Sequence, residues 1–282
     1  MLKNLFIREN LKWKEVKKMK KTLKMLLVLL AIIVMWTNPV WAGPVILMGI
    51  DAEDGGVGGH GPITVYDSVL GSLLGNVTNG GSSVLVIGGG KIASDDVTSF
   101  WNALTPAVAY ANGAAGISAA SFAGYAAIAV VSDFVNTPDG GLTNAENDAL
   151  SLRQAAIASF VNSGGGLIGF SSVELTTPYG YLAGLGSFSF GTVFDDDITA
   201  TPAGTGVGIT DALDICCWHD SYATYPSWLN VLATYPNSNN SVAALGGANV
   251  TIIPEPATLL LLGSGLIGVG FAARKRFKKQ SN

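Results

Sequence analysis

The chain has 282 residues and a formal net charge of −4, and its composition is 49% hydrophobic and 13% charged. The charges are unevenly distributed, because residues 43–252 contain 17 of the 20 acidic residues but only two of the 16 basic residues, Lys91 and Arg153. This segment carries a net charge of about −15 and lacks the basic face that nucleic acid requires, which excludes nucleic acid as a partner. Divalent cations and secreted polymers are compatible with such acidity, and the alternative is that it only keeps the protein soluble.

The first 42 residues have the features of an export signal. They contain nine of the basic residues, an apolar run at residues 25–36, and then Val40-Trp41-Ala42, which ends in the small residue that a signal peptidase needs. We therefore predict a signal peptide over residues 1–42, which signal peptidase removes. Translation from Met1 or from Met19 leaves the same mature chain.

Short apolar runs alternate with helical segments in the first half of the mature chain. Four runs are predicted strands: Val45–Ile50, Ser83–Ile87, Tyr125–Val131 and Leu167–Phe170. They lack polar alternation, which is typical of strands buried on both faces of a parallel sheet. The segments between them are predicted helices: Ile63–Leu74, a helix capped by Ser94 and reaching Leu104, Ser118–Phe122, and a long helix from the capping box Thr143/Glu146 to Val161. This order predicts an α/β fold, doubly wound and mostly parallel, of the flavodoxin-like type.

The second half of the mature chain has a looser pattern. A helical turn is predicted at Tyr179–Leu185, and a strand with a turn at Ile198–Ile209. The last two predicted strands form a pair, Trp228–Thr234 and Ser241–Leu245. The only cysteines, Cys216-Cys217, are adjacent, so they form a strained vicinal disulfide, bridge to another chain, or remain buried thiols.

The end of the chain has three parts in a fixed order. Pro254-Glu255-Pro256 precedes an uncharged run of 17 residues at 257–273, and Arg274-Lys275-Arg276 begins a basic cluster. The apolar run is close to the lower limit for a helix that crosses a hydrocarbon core of about 30 Å. Since basic residues stay on the cytoplasmic side, residues before the run face outward. The residues alone also fit an ordinary C-terminal anchor that stays in the membrane.

These three parts resemble the PEP-CTERM sorting signal, with which bacteria hand exported proteins to exosortase, a membrane protease-transpeptidase. The resemblance implies a sorting tail at residues 253–282 with a transmembrane helix at 257–273. It also implies an inner-membrane intermediate with the domain at 43–252 in the periplasm, and a cell-surface or extracellular location after processing. Exosortase is the implied processing partner, and exopolysaccharide the implied neighbour.

The mature domain resembles the class I glutamine amidotransferase-like fold, including its ThuA-like relatives, in the order of its features. The resemblance rests on Gly88-Gly89-Gly90 after the second predicted strand and on Gly164-Gly165-Gly166 before the fourth. In the catalytic members a cysteine occupies the turn after the strand that here ends at Phe170, and a late histidine activates it. This chain has Ser171-Ser172 at that turn, which implies that the cysteine chemistry is lost.

A serine nucleophile is the catalytic alternative at the same turn. Ser171 lies in a partial G-x-S-x-G pattern that has only the first glycine. His219 with Asp220, or Glu174, supplies the residue types that complete a triad, which is defined by geometry and not by chain order. His60 is the other histidine of the chain and a further candidate for the site.

A second candidate site combines carboxylates and imidazoles. Four candidate metal ligands lie on the first glycine-rich loop: Asp51, Glu53, Asp54 and His60. Loops at the carboxyl ends of parallel strands converge, so His219 and Asp220 on a later loop are expected near them. Carboxylates with imidazole suit a divalent transition metal, and carboxylates alone, as in Asp195-Asp196-Asp197, suit calcium. The spacing matches no ligand motif, so no cofactor is predicted and a divalent cation stays an open alternative to a solvated loop.

Two hypotheses for function follow. The first is an exported envelope or extracellular-matrix protein that is sorted by exosortase, non-catalytic and associated with exopolysaccharide. The second is a secreted hydrolase or sugar-modifying enzyme that uses Asp51, His60, Ser171 and His219. A general base must lie within hydrogen-bond reach of its partner, so the surroundings of His219 distinguish the two hypotheses.

Overall fold

The computed structural model describes residues 42–133, 140–194, 197–216 and 218–247. The predicted signal peptide, except for its last residue, lies outside these ranges, as do Asp195, Asp196 and the sorting tail with its predicted transmembrane helix at 257–273. Within the described ranges, no helix combines the length and the apolar character needed to span a membrane.

The described part of the chain alternates strands and helices as far as β5. Its strands are β1 (Val45–Met48), β2 (Val84–Ile87), β3 (Val108–Ala111), β4 (Ala127–Val130), β5 (Gly166–Gly169), β6 (Ser189–Phe194), β7 (Thr199–Ala200), β8 (Trp218–Thr224), β9 (Asn230–Tyr235) and β10 (Ser241–Gly247). Its α-helices are α1 (Ile63–Leu74), α2 (Asp96–Ala103), α3 (Gly113–Ala119), α4 (Asn144–Ser151), α5 (Gln154–Asn162) and α6 (Pro202–Gly206), and a 3₁₀ helix spans Gly180–Gly184.

The central sheet has eight strands in the order β3-β2-β4-β5-β1-β10-β9-β7. Strands β1 to β5 are parallel to one another, and β10, β9 and β7 extend the sheet by antiparallel pairing. The prediction of an α/β fold with a mostly parallel sheet is confirmed. Strands β2 to β5 have the relative order 2-1-3-4 of a flavodoxin-like sheet, and the N-terminal strand β1 takes the position that the fifth strand has there.

The helices between parallel strands are consistent with double winding. Connections from β1 to β3 run toward the β3 edge, and connections from β3 to β5 run back, so right-handed crossovers place α1 and α2 on one face and α3 to α5 on the other. Aromatic contacts agree with this division, because Tyr66 of α1 packs against Phe100 of α2 with ring centroids 5.1 Å apart. On the other side, Phe122 packs against Phe160 of α5 at 6.1 Å.

The core forms where the sequence has non-alternating apolar runs. All four residues are buried in each of β1, β2, β4 and β5. Full burial of an aliphatic side chain contributes about 1.5–3 kcal/mol relative to exposure, so these strands supply much of the driving force for folding. The predicted final strand pair is confirmed as the antiparallel pair β9–β10.

The sequence pattern does not predict β3, β6 and β8. Strand β3 lies at the sheet edge and is only partly buried over its first three residues, so its apolar signal is weak. Strands β6 and β8 form a separate two-stranded sheet, and their pairing depends on residues far apart in the chain. The segment predicted as a strand and turn at Ile198–Ile209 forms β7 and α6 instead.

Three helix predictions need correction. The capping box is confirmed, but α4 ends at Ser151 and α5 begins at Gln154. Arg153 between them donates hydrogen bonds to the carbonyl groups of Ile117 and Ala120, which holds the break in place. The cap of α2 is the carboxylate of the residue after the predicted Ser94, and the helical turn predicted at 118–122 lies earlier, as α3.

Both basic residues of the mature domain have partners inside the fold. Lys91 Nζ lies 2.8 Å from Glu146 Oε2 and also donates to the Gly141 carbonyl. The Arg153 guanidinium lies 4.0 Å above the ring of Phe122. Burial by itself raises the pKa of Glu146, but Lys91 and backbone N–H donors outweigh it and lower the pKa below its ordinary value of 4.5. The ion pair therefore links the loop after β2 to the start of α4.

We expect Glu146→Gln to lower the free energy of unfolding by about 2–3 kcal/mol, because the buried partner of Lys91 loses its charge. Denaturant titration of the full chain in mild detergent measures the change. Asp148→Asn is the matched control, since Asp148 is exposed on the same helix, and its effect should stay within about 0.5 kcal/mol.

The difference between wild type and Glu146→Gln depends on pH in a defined direction. Since the folded-state pKa of Glu146 is lowered, its contribution is fully present above the ordinary value of 4.5 and is lost as the pH falls through the lowered folded-state value. A difference that stays constant from neutral pH to below this range contradicts the assigned ion pair.

Candidate functional site

The candidate site lies at the edge of the sheet where the parallel strands end. The loop after β1 carries Asp51 and His60, the segment that leads into β8 carries Asp214, and His219 lies in β8 itself. Two backbone hydrogen bonds join these segments, from the amide of Ile215 to the carbonyl of His60 at 2.9 Å and from that of Asp220 to the carbonyl of Gly49 at 2.7 Å. The expected convergence is present, but His219 and Asp220 lie on strand β8 and not on the predicted loop.

Glycine residues give the first loop its tight path. Gly55 and Gly56 have φ angles of +70° and +66°, which side chains of L-residues rarely adopt. A Cβ atom on Gly59 would lie 1.9 Å from the carbonyl oxygen of Asp54. The loop therefore folds back on itself, and this return places the His60 imidazole near the carboxylates at its start.

One carboxylate connects the two histidines. Asp214 Oδ1 lies 2.8 Å from His60 Nδ1, and its Oδ2 lies 2.5 Å from His219 Nε2. The two imidazole rings are nearly perpendicular, with centroids 5.8 Å apart. On the far side of His60, Nε2 lies 3.3 Å from Asp51 Oδ1. We call these four residues, Asp51, His60, Asp214 and His219, the Asp/His cluster.

The Asp/His cluster is buried, and several of its polar atoms lack hydrogen bonds. Exposed fractions are 9% for Asp51, 2% for His60, 1% for Asp214 and 0% for His219. The buried atoms without a hydrogen-bond partner are Asp51 Oδ1, His60 Nε2, Asp214 Oδ2 and both ring nitrogens of His219. The close approach of Asp214 Oδ2 to His219 Nε2 thus lacks hydrogen-bond geometry. Buried polar atoms without partners are rare in proteins, so this concentration requires a physical explanation.

Burial changes the acidity of the cluster. It raises the pKa of Asp51 to about 6, although His60 and His219 partly oppose the shift. For His60, burial lowers the pKa, but the hydrogen bond to Asp214 and the charges of Asp51, Asp214 and Asp54 outweigh it and raise the pKa above 6.5. The charges of Asp51 and His60 thus influence each other, because each shifts the pKa of its neighbour.

The other two predicted metal ligands take different positions. Asp54 Oδ2 lies 3.7 Å from His60 Nε2, and the Asp54 side chain is 31% exposed, so it stands between the cluster and solvent. Glu53 is fully buried and accepts hydrogen bonds from Trp101 Nε1 at 3.0 Å and from the Ser132 amide at 3.3 Å. Burial raises the pKa of Glu53 to about 7. Its carboxylate is directed to partners outside the cluster.

The structure does not bring Ser171 to a histidine. The Ser171 hydroxyl donates to Asp133 Oδ1 at 3.0 Å, and the other oxygen of Asp133 accepts from the Glu174 amide at 2.7 Å. Within the described part of the chain, Asp214 is the hydrogen-bond partner of His60, and His219 has none. The geometry of a serine with an adjacent base is therefore not formed by these residues.

Asp220 holds the turn that follows β5. Its Oδ2 accepts hydrogen bonds from the amides of Ser172 at 2.8 Å and Val173 at 3.0 Å and from the Tyr179 hydroxyl. Burial raises the pKa of Asp220 to about 7. Asp220 is next to His219 in the chain, but it supports the turn and does not orient the imidazole.

Sequence reasoning missed Asp214 and Tyr235. Tyr235 stacks on the His219 ring with centroids 5.4 Å apart and donates to the Gly49 carbonyl at 3.0 Å. The only local signal for Asp214 is that it follows the apolar Leu213 and precedes a histidine by five residues. Many acidic residues share such a position. Cys216, in the same segment, is disulfide-bonded, which removes buried free thiols from the alternatives.

We expect that a fluorophosphonate probe does not label Ser171, because its hydroxyl donates to a carboxylate and has no adjacent base. Mass spectrometry of the probe-treated chain measures labelling, with an active serine hydrolase in the same mixture as the positive control. Stoichiometric labelling that Ser171→Ala removes would restore the serine-hydrolase hypothesis.

Comparison with protein families found one match, to the PEP-CTERM protein-sorting motif over residues 253–276. The predicted sorting motif is thereby confirmed, and the transmembrane helix at 257–273 stays a prediction. No characterised protein and no solved structure matches the chain. The likeness of the mature domain to the amidotransferase-like fold stays a prediction from its sequence pattern.

Proposed function

We propose that this chain, which its PEP-CTERM motif marks as an exported exosortase substrate, delivers a non-catalytic α/β domain to the cell surface or extracellular matrix, where the domain associates with exopolysaccharide. The observation that carries the proposal is the motif itself. Its three parts fit a cleavable joint, a membrane-spanning stretch and a cytoplasmic basic end, and this order supports a processing intermediate over a final anchor.

The position of the folded domain supports processing at the joint. Strand β10 ends at Gly247, and the matched motif begins at residue 253. Pro254 and Pro256 lack backbone N–H donors and disfavour helix in the residues before them. These residue types favour an extended joint, which supports cleavage by a protease at the membrane surface.

The described geometry supports a non-catalytic role. The turn that carries a cysteine in catalytic amidotransferase-like proteins holds Ser171 here, bound to Asp133. The Asp/His cluster is at most 9% exposed, whereas catalytic groups of hydrolases line an open cleft. A cleft of about 360 Å³, lined by Tyr110, Asn112 and Tyr125, lies at the β3 edge of the sheet. Strand β1, which leads to the Asp/His cluster, is four strand positions away, so the cleft is not lined by the cluster.

Surface charge favours a neutral polysaccharide. Asp148, Glu174 and Asp211 are exposed, and both basic residues of the mature domain have partners inside the fold. Such a surface repels an acidic polymer in proportion to its charge, and the repulsion is screened only beyond about 8–10 Å at physiological ionic strength. Sugar hydroxyls can instead donate hydrogen bonds to exposed carboxylates.

We expect the mature protein to begin near Gly43 and to end close to Pro254, because signal peptidase and exosortase each remove one end. Replacing Pro254, Glu255 and Pro256 by alanine should leave a membrane-bound chain that still carries its basic end. Mass spectrometry of both termini in membrane and extracellular fractions measures the outcome.

Ser264→Ala is the matched control for sorting. It changes the apolar run and leaves the Pro254-Glu255-Pro256 triplet and the basic cluster intact. It should be processed like wild type. Recovery of wild-type chains that end at Asn282 from the cell surface would contradict the proposal.

We expect an enzyme that degrades the host's neutral exopolysaccharide to release the processed protein from the matrix, because the polymer holds it there. Immunoblotting of the supernatant before and after digestion measures the release. Heat-inactivated enzyme is the control. If the protein stays with the cells after complete digestion, the association with exopolysaccharide is wrong even where sorting is correct.

A further inference from the structure

We propose that the Asp/His cluster binds a divalent transition metal of the Zn²⁺ type. The ligand atoms are Asp51 Oδ1, His60 Nε2 and Nδ1 of His219, and Asp214 positions both imidazoles. The site is independent of the sorting tail, and it adds a binding function to the domain that the tail delivers.

The spacing of the ligand atoms fits a shared ion. Two ligands that each lie about 2.0–2.1 Å from tetrahedral zinc are about 3.3 Å apart. Asp51 Oδ1 and His60 Nε2 are 3.3 Å apart and make no hydrogen bond. Asp51, His60 and His219 each place one ligand atom within 4.8 Å of the others, so the three can approach a shared ion.

The atoms without hydrogen bonds coincide with the proposed ligands. Asp51 Oδ1, His60 Nε2 and His219 Nδ1 are all buried and have no hydrogen-bond partner. Leaving buried polar atoms unpaired is unfavourable, so three of them together favour a bound ligand that satisfies them. A metal ion accepts all three lone pairs at once.

Asp214 has the position of an outer carboxylate that orients ligand histidines. Metal-binding histidines usually give their second ring nitrogen to a carboxylate, which fixes the tautomer and the ring direction. Asp214 contacts His60 Nδ1 and His219 Nε2 with its two oxygens, and it therefore leaves the opposite nitrogen of each ring for the ion. A single buried carboxylate with both histidines of the chain is unusual for a structural hydrogen-bond network but expected for a metal site.

The carboxyl groups of the cluster also favour a bound cation. Asp51 and Asp214 bring two carboxyl groups into a buried region, and Asp54 stands at its edge. Lys91 and Arg153, the only basic residues of the mature domain, contact Glu146 and the carbonyl groups at the end of α3 instead. An ion of charge +2 neutralises the cluster without any further basic residue.

The ligand types select the class of metal. Two imidazole nitrogens with one carboxylate oxygen suit zinc and neighbouring divalent transition metals, whereas calcium and magnesium require mostly oxygen ligands. Thiolate is not involved, because Cys216 is disulfide-bonded. The ion would connect the loop after β1 to strand β8, so binding should stabilise the fold.

Zinc binding by the full chain tests the proposal. The chain, purified in mild detergent and stripped with EDTA, is dialysed against Zn²⁺, and bound metal is measured by atomic emission. We expect about one ion per chain, retention of that ion against a large excess of Ca²⁺, and a melting temperature that rises with Zn²⁺. Wild-type chain that binds no zinc, or that loses it to Ca²⁺, overturns the proposal.

Substitutions assign the site. His60→Ala and His219→Ala should each weaken zinc binding at least about 100-fold, and Asp214→Asn about 10–100-fold, since it affects the ligands indirectly. Asp211→Asn is the matched control, because Asp211 is exposed three residues before Asp214, and it should bind zinc like wild type. Equal affinity in wild type and His219→Ala places the ion elsewhere and overturns the assignment.

Substitution with Co²⁺ keeps the test valid if the alanine variants do not fold. The wild-type chain should give visible absorption of tetrahedral or five-coordinate cobalt, without the near-ultraviolet band of a thiolate ligand. A spectrum of octahedral hydrated cobalt would show that the imidazoles are not ligands. Because sorting is measured in cells and metal binding on the purified chain, failure of one proposal does not affect the other.

Discussion

The fold depends on how buried carboxylates are neutralised in a domain with two basic residues. Seven acidic residues of the described chain are buried: Asp51, Glu53, Asp95, Asp133, Glu146, Asp214 and Asp220. Lys91 compensates only Glu146 directly. The others use backbone amides, hydroxyl groups, an indole or imidazoles, which explains why nearly every loop at the carboxyl edge of the sheet is tied to an acidic side chain.

This arrangement gives a structural meaning to the turn after β5. Asp133 comes from the end of β4 and Asp220 from β8, and both accept hydrogen bonds from the turn at residues 171–174. The two carboxylates hold that turn between the parallel sheet and the two-stranded sheet. The turn after β5 therefore has a structural role as the connection between the two sheets.

The sequence predicts those parts of the fold in which local signals and tertiary packing agree. Non-alternating apolar runs locate β1, β2, β4 and β5, and the capping box locates the start of α4. The sequence pattern does not predict β6 and β8, because the two strands are far apart in the chain and β6 is unevenly buried. The convergence of two loops follows from the rule for parallel strands, but Asp214 does not, since nothing local distinguishes it from a solvated aspartate.

The strand order also determines when the domain can finish folding. β1 is the first strand to emerge, at the ribosome and again outside the membrane, yet its neighbours are β5, at residues 166–169, and β10, at residues 241–247. Contacts this distant in sequence form late and slow the search for the native state. The centre of the sheet therefore closes only when the chain has emerged almost to the sorting motif. Completion of the domain and presentation of its tail to exosortase are thus nearly simultaneous events.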